Sequence, residues 1–394
     1  MKIKHLLLNK IKNILTNNKM HYKPQLYDSK LVWCTISLLL IGLIMVTSAS
    51  IPIASHIYGD VLFFTKKEII YLILILFLTK IFLKTPIIFW KMYSTKMLLT
   101  SIIMLLLVLI ISTPINGSFR WIKISFIHIQ PGELSKLTVF CYLSNYLSQK
   151  RYEIMNSFWS FLKPLGIISI ISILLLTEPD LGTVAIYFIT ILSLLFISGV
   201  QIWKFIPIIF LGIIITILLI MITPYRSERI LSFWNPWKDP FGKGYQLTQS
   251  LMALGRGNFF GVGLGHSIQK LEYLPEAHTD FIFSIIGEEL GYCGVCVILS
   301  MILFISFKAI NIGKNALKNN DCFSGYFAFS IGIWLVSQTL INIGTAVGIL
   351  PTKGLTLPLI SYGGSSLLII SIAISILLRI DFETRIKNKF YQGL

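Results

Sequence analysis

Residues 31–54 read LVWCTISLLLIGLIMVTSASIPIA, a run without a single Asp, Glu, Lys or Arg. About 20 apolar residues in an α-helix cross roughly 30 Å of hydrocarbon, so this run predicts a membrane span. Comparable runs follow at about 68–84, 97–114, 134–149, 161–178, 182–200, 203–223, 277–307, 323–349 and 354–379. They predict an all-α, polytopic membrane protein of about ten transmembrane helices, with one long loop between helices 7 and 8. Prolines and a Gly-Gly pair interrupt the last run, so its first half is expected to be irregular. No strand-like alternation recurs, which removes a transmembrane barrel from consideration.

Composition points the same way. The 394 residues are 55% hydrophobic and 13% charged, against roughly a quarter charged in soluble domains. In a soluble protein the net charge of +17 would raise nucleic acid as a partner. Here the basic residues lie in short loops and tails between apolar runs. They read as topology signals and as contacts to anionic membrane lipids, and no nucleic-acid partner is expected. An even number of spans puts the basic loops after spans two, four and eight on one side, together with both termini. That side is then cytoplasmic. Residues 115–133, 177–181, about 224–276 and 350–364 fall on the opposite, periplasmic side. The expected organisation is a basic cytoplasmic tail over 1–30, a transmembrane domain over 31–379 with its long periplasmic loop, and a cytoplasmic tail over 380–394. The first apolar run starts too far in for a removable signal peptide. Among the five cysteines, Cys293 and Cys296 form a CxxC without a nearby His; they read as two small core side chains.

Four clusters carry candidate chemistry, all on the periplasmic side. The first is Pro275-Glu276-Ala277-His278-Thr279-Asp280. Pro275 suits the first position of a helix, which would place Asp280 one turn inside. Asp280, Ser284, Gly287 and Gly291 would then share one small, polar stripe facing the bundle interior. Glu276 would sit on the same face and raise the carboxylate pKa, as suits a base that takes a proton from a sugar hydroxyl. A helix-capping acid cluster is the equal alternative. Glu288 and Glu289 lie deeper in the same span, and Glu289 is expected to pair with a neighbouring helix. The second cluster is Asn116 to Trp121 with Gln130 to Lys136. Arg120 and Trp121 read either as an interfacial anchor or as part of a site. Glu133 and Lys136, three apart, can pair; the pair is structural or presents Lys136 to a pyrophosphate.

The third cluster is the long loop, with Gly255-Arg256-Gly257 and Gly261-Val262-Gly263-Leu264-Gly265. No preceding strand and no Gly-Lys-Ser/Thr accompany it, so a nucleotide fold does not apply. Its glycines would let backbone amides approach an anion, with Arg256 and Lys270 adding charge. The fourth is Pro351-Thr352-Lys353-Gly354 with Leu357-Pro358-Leu359-Ile360-Ser361-Tyr362-Gly363-Gly364, a broken helix along protein or a wet cavity. The turn Glu178-Pro179-Asp180 resembles it, with Asp180 satisfying the turn. The candidate substrate-binding residues are Arg120, Glu133, Lys136, Arg256, Lys270, Glu276, His278, Lys353 and Ser361, around a catalytic Asp280. No ligand cluster demands a metal, although a divalent cation could assist.

These stretches resemble the SEDS family of shape, elongation, division and sporulation proteins, from span one to the C-terminal tail. Trp234-Asn235-Pro236-Trp237 and Pro351 to Thr356 favour its cell-division branch over its elongation branch. The resemblance implies a ten-span fold in the bacterial inner membrane, at the division septum. It implies a peptidoglycan glycosyltransferase that uses lipid II. The implied partner is the class B transpeptidase, a septal penicillin-binding protein, within the divisome. Asp280 matches the family's essential acid, and Glu133 with Lys136 its charged pair beside a cavity. Gly132 departs from a common Ser or Ala, and Glu178 from a common Gln. Two other functions fit the same architecture: a lipid II flippase, and a non-catalytic scaffold for the transpeptidase.

Overall fold

The computed structural model of the chain describes residues 27–111, 120–124, 127–222, 233–242, 244–351 and 354–392. The tail before Tyr27, residues 112–119, residues 223–232 and Lys353 lie outside the described residues. In chain order come α1 (Ser29–Tyr58), α2 (Phe63–Lys84), α3 (Ile87–Ile111), strands β1 (Ile122–Ile124) and β2 (Ile127–Ile129), α4 (Pro131–Asn156), α5 (Phe158–Thr177), α6 (Leu181–Ile197), α7 (Ile206–Ile222), α8 (Tyr245–Arg256), α9 (Ile282–Lys318), α10 (Cys322–Ala346) and α11 (Gly364–Gln392). Six of these helices are long and apolar enough to cross a membrane by length and composition. Each predicted run is met by a helix, but several boundaries differ: α3 begins ten residues before its run, α4 ends seven and α9 eleven residues after theirs, and α11 continues through the segment expected as a tail. The two strands form a small antiparallel ribbon with Lys123 opposite His128.

Polarity is inverted relative to a water-soluble bundle. Ile110 and Met221 are 80% and 74% exposed, while Lys136, Glu288 and Asn342 are fully buried. Hydrocarbon solvates the first kind of surface, and the second kind is held away from it by neighbouring helices. The chain is therefore an integral membrane protein. One end of the bundle is tied by ion pairs between distant segments. Asp28 accepts from the Lys30 and Leu31 amides at the start of α1 and meets Lys308 of α9 at 2.8 Å and Arg385 of α11 at 3.3 Å. Lys387 reaches Asp321 at 2.5 Å beside them.

The other end depends on a break in α9. Gly291 has φ 67° and ψ −169°, a conformation that glycine adopts far more readily than any other residue. The break frees carbonyls and amides that the helix would have paired, and the loop after α8 satisfies them. Val262 and Gly263 donate to the carbonyls of Glu288 and Glu289 (3.0 Å each), and Tyr292 and Cys293 donate to those of Asn258 and Phe259 (3.1 Å each). Such an exchange needs backbones in contact. A Cβ on Gly261 would lie 2.2 Å from the Glu289 oxygen, and one on Gly257 within 1.8 Å of the Gly287 oxygen. The glycine-rich loop is thus a backbone splice into α9. This replaces the expected anion cradle, because the amides of Val262 and Gly263 are spent on helix carbonyls.

Gly291→Ala should break this splice, since its Cβ would lie 2.3 Å from the Gly261 nitrogen in a backbone region that costs about 1–3 kcal/mol for other residues. A thermal melt of the detergent-purified protein is expected to show the loss, and a melt unchanged from the wild type would contradict it.

Candidate functional site

Asp280 lies two residues before α9, whose cap is Phe281. The expected helix start at Pro275 is not observed. Glu276 has φ 55°, and its carbonyl accepts from both Thr279 and Phe281 at 3.2 Å, closing a tight turn. Its carboxylate is exposed and accepts from the Thr279 hydroxyl at 2.7 Å. Asp280 and Glu276 therefore do not share a helix face. The small stripe on α9 serves packing instead: Ser284 meets Ser250 of α8 at 2.6 Å, and a Cβ on Gly287 would strike Leu254.

Three irregular segments meet at Asp280. A Cβ added to Gly354 would lie 3.1 Å from Asp280 Oδ2 and 3.9 Å from Arg120 Nη1. Glycine thus lets the backbone come close to the point at which the carboxylate and the guanidinium converge. Arg120 is positioned from its other side. Its Nε donates to the Glu178 carbonyl at 2.7 Å and its Nη2 to the Pro179 carbonyl. Asp180 fixes that turn by capping α6, accepting from the Thr183 amide at 3.3 Å and its hydroxyl at 2.8 Å. Asp280 and Arg120 are both half-buried, so a ligand can reach them.

Glu133 and Lys136 form a different unit. Lys136 Nζ lies 2.7 Å from Glu133 Oε1 and 3.1 Å from Gln338 Oε1, and 5.3 Å from the centre of the Trp334 ring. With no exposed surface, the ammonium is enclosed by these groups. Gln338 extends the network by donating to the Thr356 carbonyl and hydroxyl at 3.0 and 3.3 Å. Thr356 in turn donates to Ser366 at 2.8 Å. The buried pair thereby supports the segment that carries Gly354. Asn342, one turn along α10 from Gln338, donates to the carbonyls of Asp280 and Leu355. Gln338 and Asn342 are not among the residues the sequence singles out, and Gly354 enters there only as part of the fourth cluster. The two amides were visible as polar residues four apart inside an apolar span, a pattern that marks a membrane helix as more than a filler.

The remaining candidates fall nearby or elsewhere. His278 is buried between Phe64 and Tyr362, ring centres 4.6 and 5.6 Å away; burial lowers its pKa against the pull of Glu276. Its carbonyl accepts from the Tyr362 amide at 3.0 Å. Ser361 is a turn residue whose hydroxyl accepts from the Leu357 amide at 2.7 Å. Arg256 and Lys270 belong to the α9 splice. Arg256 pairs with Glu288 at 2.9 Å and Lys270 with Glu289 at 2.8 Å, and Ser48 of α1 shares Glu289. Glu289 does reach a neighbouring helix, and a loop lysine as well. Among the described residues no group of three or more His, Cys, Asp or Glu is placed to hold a metal ion.

A bundle of long apolar helices with charged groups gathered on irregular segments at one end defines a polytopic membrane protein with a site at its surface. The chain belongs to the FtsW/RodA/SpoVE family of cell cycle proteins, whose family model matches residues 29–386. It is 70% identical over 364 residues to a probable peptidoglycan glycosyltransferase FtsW of Buchnera aphidicola subsp. Baizongia pistaciae, covering 92% of this chain and 96% of that one. It is 56% identical over 363 residues to the Escherichia coli O157:H7 protein of the same description, covering 92% and 88%. In fold it resembles a chain from a peptidoglycan synthase complex that coordinates polymerization and crosslinking, with TM-score 0.76, 23% identity, and 91% and 98% of the two chains covered. The rod shape determining protein RodA of Thermus thermophilus matches with TM-score 0.67, 22% identity, and coverage of 91% and 98%.

One group at the site is out of balance. Glu178 is fully buried and, among the described residues, neither carboxylate oxygen has a hydrogen-bond partner. Burial, with Asp180 beside it, pushes its pKa from 4.5 up to about 8 against the pull of Arg120. Between those values the folded chain keeps a proton that the unfolded chain has released, so this group's contribution to stability falls as pH rises from 4.5 to about 8. Glu178→Gln should therefore melt higher than the wild type near pH 8, with the gap closing near pH 4.5. Melting curves of the two proteins across that range check it.

Proposed function

We propose that this protein polymerises lipid II into glycan strands at the division septum. The proposal rests on the shared description of its close relatives and, within this chain, on the convergence of Asp280 and Arg120 beside Gly354. In this reading the bundle lies in the bacterial inner membrane with both termini cytoplasmic and the Asp280 end periplasmic. Chain order supports the shared placement, because the segments before α4, α6, α9 and α11 all leave the bundle at the same end.

The chemistry follows from the groups present. Asp280 takes the proton from the 4-hydroxyl of the acceptor's N-acetylglucosamine. The oxygen then attacks C1 of the donor's N-acetylmuramic acid, the C1–O bond breaks, and undecaprenyl pyrophosphate leaves with its charge. Arg120, already fixed by two backbone carbonyls, supplies positive charge without having to reorganise. Lys136 is enclosed, so it acts through Gln338 and Thr356 by holding the Gly354 segment rather than by touching pyrophosphate. The partner in this reading is the septal class B transpeptidase, which crosslinks the strand as it is made, among other divisome proteins.

Removing the base should lower turnover by about 10²–10⁴-fold. Asp280→Asn, purified with the transpeptidase and given lipid II, is expected to make no long glycan on a gel that resolves chain length. Undiminished polymerisation would remove Asp280 from the mechanism. Movement of lipid II across a reconstituted bilayer without chain formation would instead favour a flippase.

A further inference from the structure

Asn342 does something that neither charge nor family resemblance draws attention to. It sits inside α10 with no exposed surface. Its Nδ2 donates to the Asp280 carbonyl at 2.9 Å and to the Leu355 carbonyl at 2.6 Å. Both neighbours are acceptors, so the NH2 group must face them. One amide thus joins the residue that carries the acid to the residue that follows Gly354. Those are the two sides of the close approach at which a Cβ on Gly354 would lie 3.1 Å from Asp280 Oδ2.

The other half of the same amide argues that this is not merely good packing. Asn342 Oδ1 is buried and has no hydrogen-bond partner among the described residues. A buried acceptor left unpaired is unfavourable, and an apolar side chain of similar volume would avoid it. Gln338, one turn away, shows the contrast. Its Oε1 accepts from Lys136 at 3.1 Å and from Trp334 at 2.7 Å while its Nε2 serves Thr356, so both halves are used. Asn342 is retained for its donors, and both donors point at backbone beside the carboxylate.

We propose that Asn342 is the positioning residue for Asp280, clamping the acid's backbone to the Gly354–Leu355 segment and so fixing the carboxylate against the acceptor hydroxyl. The inference rests on the reading of Asp280 as the base. Asn342 touches no substrate; it acts through the acid. Its removal should therefore leave binding of the lipid-linked sugars largely intact and slow the chemical step, because a displacement of about 1 Å at a reacting group can cost on the order of a hundredfold.

The test uses the full-length protein with its transpeptidase partner and lipid II as substrate. Wild type and Asp280→Asn run alongside; activity in the first and its loss in the second establish the underlying reading separately. Asn342→Leu is expected to lower kcat about 10- to 100-fold while KM changes less than about threefold. Ser337→Ala, at a residue whose hydroxyl donates to the Trp334 carbonyl on the same helix, should keep wild-type values. A kcat within about threefold of wild type, or a rise in KM alone, overturns the proposal. Should Asn342→Leu fail to fold, the isosteric Asn342→Asp decides. Its ionised carboxylate cannot donate to two carbonyls, whereas its protonated form can donate to one. The ratio of its kcat to that of wild type should therefore rise as pH is lowered, and a ratio that stays flat across pH overturns the proposal.

Discussion

Two adjacent glutamates inside a membrane helix impose the constraint from which the architecture of the site end follows. Glu288 and Glu289 are buried in α9, where an uncompensated charge would be expensive. Both must be met, and because they are neighbours on a helix they point in different directions. Arg256 reaches one and Lys270 the other, which obliges the loop between α8 and α9 to pass over the helix. Ser267 and the Ile268 amide add hydrogen bonds to Glu288. The break at Gly291 makes the passage intimate by letting loop and helix exchange backbone hydrogen bonds. The loop that leaves this splice runs directly into the turn that ends at Asp280.

A second buried ion pair supports the opposite wall. Glu133 and Lys136 are buried in the first two turns of α4, and removing either partner of such a pair usually costs more than the pair itself contributes. Their reach extends through Gln338 and Thr356 to the segment before α11, which is irregular backbone packed inside the protein. Irregular backbone at this depth requires every carbonyl and amide to find a partner. Side chains of α10 supply several: Gln338 for Thr356, Asn342 for Leu355 and Asp280. Helix α10 is therefore the common support from which both the acid and the glycine opposite it are hung.

Much of this architecture could be read from residue patterns, and the failures have physical causes. Apolar runs located the long helices because lipid demands length and hydrophobicity from each span separately, a local property. The start of α9 was misplaced because Pro275 followed by acids is a sound local signal for a helix N-terminus. The turn at Glu276 is instead held by tertiary contact, since the His278 carbonyl is claimed by Tyr362 from 84 residues away in sequence. The glycines of the long loop looked suited to an anion. Glycine spacing cannot distinguish approach to a phosphate from approach to another backbone, and here the partner is α9. Gln338 and Asn342 lay hidden because an apolar run is read for its average, and two amides barely move it. Arg120 and Asp280 were recognised separately, but their meeting at Gly354 is a property of the fold alone.

The same geometry bears on the choice between polymerising a lipid-linked sugar and carrying it across the membrane. A carrier needs a site that each face reaches in turn. Below Asp280 and Arg120, the interior is occupied by the Glu133–Lys136 pair, Gln338 and Trp334, all buried and mutually bonded. Opening a path there would separate a buried ion pair and strand Gln338 without partners, at a cost that no group on the path is placed to recover. The site end, by contrast, has a half-buried acid and a fixed guanidinium that converge beside an exposed glycine. An enzyme that receives its lipid-linked substrate from one side of the membrane needs only that end, and the packed interior then serves to keep the acid in place.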